Sequence, residues 1–287
     1  MKNFTAGLAV VAVVVPFILG SVAFGDYVLA LERGAPLPDF GVPLGQQKTF
    51  FVTADRLAQG GTVEFASHGA LSPTLGYLSD DRWQIFDDRQ GLRLPNADRA
   101  SILAIDDPTS AAGQLAGRWL ESEQVASLTL TLRTTVSLYR VGPGGAETAP
   151  GYRALDARFA NGLTLGGFRV ASDPVARKVR VDLHWRFDGL PPTKSPTVFN
   201  HLVGPGGETV SGTDGLAFQA PGWRDGEVFL DEFDLGWPTA PGPYRLQVGL
   251  YDYPSMRRFP LLRPAGGAPS DWIDLGPVSL TAARVSP

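Results

Sequence analysis

A strict alternation of side chains governs the second half of the chain and limits it to β structure. In VRVDLHWRF, Val179, Val181, Leu183, Trp185 and Phe187 share one face, while Arg180, Asp182, His184 and Arg186 take the other. Successive strand side chains point to opposite sides, so a period of two marks a strand with one buried face. The same period runs through LTLGGFRV, TVFNHLVGP, GEVFLDEFDLG, YRLQVGLYDY and DWIDLGPVSLTAA. Turn clusters such as ASDP, GLPPT, GPGGE and WPTAPGP separate these runs. Short alternating strands without a helical stripe predict an all-β, immunoglobulin-like antiparallel sandwich over residues 152–287.

Upstream the pattern changes. GQQKTFFVTADRLAQ places Phe50, Phe51, Ala54, Leu57 and Ala58 on one helical stripe, stopped by Gly60-Gly61. TVEFAS and SILAID read as strands, the second of the fully buried kind. It leads through Asp107-Pro108-Thr109 into a helix, SAAGQLAGRWL. RWQIFDD and GLRLP read as a hairpin or two edge strands, residues 71–78 as a brief helix, and LTLTLRT and VSLYRV as closing strands. This alternation predicts a small α/β domain over residues 45–141. GPGGAETAPG, residues 142–151, has no apolar period and is the expected Gly/Pro linker to the sandwich.

No charged side chain occurs from Asn3 to Gly25. About 20 apolar residues cross a bilayer as a helix, so residues 4–25 are long enough to enter one, with Pro16 costing a hydrogen bond and a kink. Residues 1–31 are therefore expected to be an N-terminal transmembrane helix and membrane anchor, with residues 32–44 as connector. Lys2 on the short flank favours a cytoplasmic N-terminus, which makes the chain single-pass with its bulk extracytoplasmic. A signal peptide cleaved after Ala23, at Ser21-Val22-Ala23, is the alternative and exports the same bulk. The formal net charge of −4 carries no basic stripe, which excludes nucleic acid as a partner. The absence of cysteine excludes disulfides, thiolate zinc sites and cysteine nucleophiles.

The search for chemistry yields little. His68, His184 and His201 fall in different elements and form no HxxxH or HxH pair, so no metal site is expected. The acids come as neighbours, Asp80-Asp81, Asp87-Asp88 and Asp106-Asp107, or as DEFD at residues 231–234. Adjacent strand residues face opposite ways, so these pairs read as solvated surface, with a loose calcium site near Asp225, Glu227 and Asp231 as the weaker reading. No G-x-S-x-G, S-x-x-K or P-loop occurs, and neither catalytic residues nor a cofactor are expected. Aromatic residues gather in the last third. Trp223 and Trp237 are the candidates for stacking on a glycan, weighed against packing in the core.

The series ARFANGLTLGGFRV, VRVDLHWRF, FNHLVGPGGETV and GWRDGEVFLDEFDLGWPTAPGPYRLQVGLYDYPSMRRFP resembles a region that follows the membrane core in certain bacterial proteins. These are Chloroflexi-type polytopic glycosyltransferase-like membrane proteins of the dolichyl-phosphate-mannose mannosyltransferase type. FGVPLGQQKTFFVTADRLAQGGTVEFASHG is similar to their tract between the last membrane helix and the sandwich. The resemblance covers most of residues 8–284. It implies that the transferase chemistry lies on acidic loops between membrane helices, for which this chain offers no matching positions. The expectation is a non-catalytic, membrane-anchored extracytoplasmic binding or scaffold module, next to envelope glycan or in a membrane complex. An accessory subunit of a separately encoded lipid-linked-sugar glycosyltransferase and a structural subunit of a surface or membrane assembly are the alternatives.

Overall fold

The computed structural model describes residues 44–68, 82–89, 91–94, 101–120, 123–129, 134–142, 149–189, 193–215, 223–239, 242–262, 270–278 and 280, together with Ser21, Val22, Gly25, Asp26 and Leu29. Among the described residues the chain is mostly β, with three sheets and few helices. Most of the expected anchor, the connector, the helix at 71–78 and most of the linker lie outside the described residues. No helix among the described residues is long and apolar enough to cross a membrane.

The first sheet is mixed. Strands β1 (Thr62–Ala66), β2 (Trp83–Phe86) and β4 (Ser101–Ile105) are parallel, in the order β2-β1-β4. β6 (Thr135–Val141) and β5 (Glu123–Thr129) extend it antiparallel beyond β4. Helix α1 (Leu44–Ala58) lays Phe50, Phe51, Ala54 and Ala58 against Val63, Phe65, Trp83, Ile102 and Ala104, as its stripe predicts. The ring of Phe50 meets those of Phe65 and Trp83 at 5.0 and 5.7 Å. Helix α2 (Ala111–Trp119) starts at Ser110, whose side chain accepts from the Gly113 amide at 3.2 Å. A Cβ on Gly113 would come within 2.6 Å of the Pro108 backbone, so this tight entry requires glycine.

Two antiparallel sheets follow and share one core. One has the order β15-β7-β8-β9-β12-β3. Its strands are β7 (Arg153–Phe159), β8 (Leu163–Asp173), β9 (Lys178–Phe187), β12 (Val228–Gly236), β15 (Leu261–Leu262) and the early β3 (Leu92–Leu94). The other has the order β11-β10-β13-β14, built from β10 (Thr197–Val203), β11 (Thr209–Gly215), β13 (Tyr244–Asp252) and β14 (Arg257–Arg258), with β16 (Trp272–Val278) also on β13. In β9, Val179, Val181, Leu183, Trp185 and Phe187 are fully buried, as the alternation requires. Tyr244, Leu246, Val248 and Leu250 face the same core from β13. Together these features give a β-sandwich.

WQIF and LRL form two edge strands, the second of the two expected arrangements, and no hairpin: β2 edges the mixed sheet beside β1, whereas β3 edges the six-stranded sheet antiparallel to β12, setting Leu92 opposite Leu230 and Leu94 opposite Val228. The second strand of the expected closing pair matches β6, but β5 begins at Glu123, upstream of LTLTLRT. One core runs through both halves: Ala66, Phe86, Leu103, Leu115 and Trp119 belong to the same cluster as Leu183, Phe229 and Leu246.

Candidate functional site

The parallel strands β1, β2 and β4 end level with one another. Ala66 is registered against both Phe86 and Ile105, so the residues that follow leave the sheet at one end. Those residues are Ser67 and His68, Asp87 and Asp88, and Asp106 and Asp107. The carboxyl ends of parallel strands are where open sheets of this kind collect ligands.

Each acid pair divides its work. Asp87 faces outward to an ion pair with Arg89, whose hydrogen bond holds its carboxyl below the usual range. Asp107 Oδ1 accepts from the Thr109 amide and hydroxyl at 2.8 and 2.7 Å, which lowers its pKa in the same way and shapes the entry to α2. Asp88 and Asp106 turn inward. Asp88 is fully buried, its Oδ2 lies 2.7 Å from His68 Nδ1, and its backbone carbonyl accepts from the Ala112 amide. Asp106 Oδ2 accepts from Ser67 Oγ at 2.5 Å. Burial pushes the Asp106 carboxyl up, the Ser67 hydrogen bond opposes this, and the Asp88 charge adds to it. Oδ1 of Asp88 and Oδ1 of Asp106 are both buried with no hydrogen-bond partner. One ligand-type atom from each of His68, Asp88 and Asp106 lies within 4.8 Å of the others, and the His68 side chain is 54% exposed.

The sequence pattern missed this group because it looked for ligands within one element. The other two histidines lie elsewhere. His201 sits on β10, 3.5 Å from Asp214, and His184 is buried where α2 meets β9.

That junction forms a second polar centre. The Trp119 ring stacks on His184 at 6.1 Å, and Tyr152 meets His184 edge-on at 5.8 Å. Trp119 Nε1 donates to Asp182 Oδ2 at 3.1 Å, and Arg118 pairs with both Asp182 and Glu232. Burial raises the Asp182 carboxyl, and it lowers the Arg118 guanidinium, while the Asp182 charge opposes that loss. Desolvation, with help from Arg186, pushes His184 down to about 4. Nearby, Arg93 on β3 donates to both oxygens of Glu227 at 2.5 and 2.6 Å, with both side chains nearly buried. Glu64 on β1 is buried beside this pair, and desolvation raises its carboxyl well above the usual value.

The other candidate residues have structural partners. The Trp223 ring is 2% exposed, stacked on Phe229 at 5.5 Å and tilted against Phe187 at 5.2 Å. Stacking on a sugar would require it to leave the core. Trp237 is half-buried against the same core. Glu227 is committed to Arg93 and to the Arg224 amide, and Asp225 accepts from the Gly189 amide.

Neither a protein-family model nor a curated protein matches the chain. Among solved structures, the chain is similar to one described as the crystal structure of the C-terminal domain of wzt. The two share 16% identity over 49% of this chain and 93% of that one, with a TM-score of 0.29.

Proposed function

We propose that the chain is a non-catalytic extracytoplasmic binding and scaffold module, held at the membrane by residues 4–25 and associated with envelope glycan or a membrane protein complex. In this reading its β-sandwich is of the immunoglobulin-like type. The observation that supports it is the fused junction. β3 completes a sandwich sheet, and Arg118 and Trp119 of α2 bind Glu232 and Asp182 across the boundary. A hinge between the halves would strand these buried polar groups at a cost of several kcal/mol. A body without such a hinge holds its surfaces in fixed relation, which suits presentation and docking.

The test is affinity capture of the full chain from detergent-solubilised membranes. A stable multi-protein complex, or retention on envelope glycan, is the expected result. Recovery of the chain free in the cytosol, or turnover of a lipid-linked sugar by the purified chain alone, overturns the reading.

The series W-x-x-G-E-V … P-G-x-Y-x-L-x-V-G-L-Y-D, from Trp223 to Asp252, favours a second reading as an accessory subunit of a mannosyltransferase-type membrane enzyme. Co-purification of a polytopic glycosyltransferase distinguishes it from the first.

A further inference from the structure

We propose that His68, Asp88 and Asp106 form a binding site for a divalent transition cation of the Zn2+ class at the carboxyl end of the mixed sheet. This goes beyond the scaffold reading and does not depend on it. Three observations carry it. First, one ligand-type atom from each residue already lies within 4.8 Å of the others, although the residues follow three separate strands. Second, Asp88 is fully buried and presents an Oδ1 without a hydrogen-bond partner, and Asp106 Oδ1 is buried in the same condition. A buried carboxylate oxygen left unpaired is costly, and a cation within the cluster would compensate it. Third, the supporting contacts are already in place. Ser67 Oγ orients Asp106, and the Ala112 amide fixes the Asp88 backbone.

The donor set selects the ion. Two carboxylates balance a double positive charge, and one imidazole nitrogen favours Zn2+-like ions over Mg2+ or Ca2+, which prefer six or more oxygens. Three protein ligands leave a coordination position open, and His68 lies at the solvent side. The present 2.7 Å contact between His68 Nδ1 and Asp88 Oδ2 would give way to bonds from both groups to the ion.

The experiment is calorimetric titration of the full, tag-free chain in detergent with ZnCl2 after chelator treatment, with MgCl2 and CaCl2 as parallel titrants. One Zn2+ per chain in the micromolar range or tighter is expected, without saturation by Mg2+ or Ca2+. His68→Ala should weaken binding at least tenfold with an unchanged circular dichroism spectrum, because this side chain is half exposed. Asp106→Asn should weaken it likewise, and His201→Ala should leave it unchanged. No saturable Zn2+ binding below 1 mM overturns the proposal, as does binding that survives His68→Ala or disappears with His201→Ala.

Discussion

The indole nitrogen of Trp119 reaches across 63 residues of sequence to donate to the Asp182 carboxylate, and it joins helix α2 to the outer face of strand β9. The alternation in β9 assigns that face to solvent, yet Asp182 and His184 are each 3% exposed. Trp119→Phe should keep most of the packing and lose the donor, destabilising the chain by about 1–3 kcal/mol. Trp119→Ala also leaves a cavity and should cost about 3–5 kcal/mol. Urea unfolding of both variants separates the two contributions, and a Trp119→Phe variant as stable as the parent chain would show that the hydrogen bond adds nothing.

Arg93 and Glu227 tie β3 to the segment entering β12, with both side chains nearly buried. Removing one partner of such a pair leaves an uncompensated charge, so Arg93→Met should cost about 3–5 kcal/mol. The double variant Arg93→Met/Glu227→Gln should recover part of that loss. A double-mutant cycle by chemical denaturation reads the coupling directly.

His184 makes stability depend on acid. Its pKa is pushed from 6.5 in the unfolded chain down to about 4 by burial, so the unfolded state binds more protons between these values. Its contribution is complete above pH 6.5 and falls progressively until the pH passes about 4. The total loss is roughly 3 kcal/mol. Melting curves from pH 7 to pH 4 should show this decline, and His184→Leu should flatten it.

Trp223→Ala should destabilise the sandwich by about 3–5 kcal/mol, because the ring fills space between Phe187 and Phe229. A normal melting curve with lost glycan retention would contradict the buried position and restore the stacking role.

The pattern of side chains made some elements legible and left others hidden, for identifiable reasons. Helix α1 and strands β9 and β13 follow from local periodicity, because each buries one face and that face recurs at a fixed interval. The partner of β3 was not legible. Three residues, LRL, suffice to form a strand, but only long-range packing selects Leu230 over a nearer neighbour. The His68 group was hidden for a similar reason. Its members follow three different strands, and only the parallel register of β1, β2 and β4 brings them together. The rule that adjacent acids diverge did describe Asp87 and Asp88. Its consequence was missed, since divergence beyond a strand end sends one acid outward and the other into a shared centre.

Strand β3 also bears on how this chain can be made and divided. Residues 92–94 leave the ribosome long before their partners at 228–230 exist, so the six-stranded sheet closes late and over a long span of chain. A truncation beginning at residue 152 would leave β12 with a bare rim of amide and carbonyl groups, open to pairing with another copy. In the intact chain β3 covers that rim, so an expression fragment should begin upstream of Leu92.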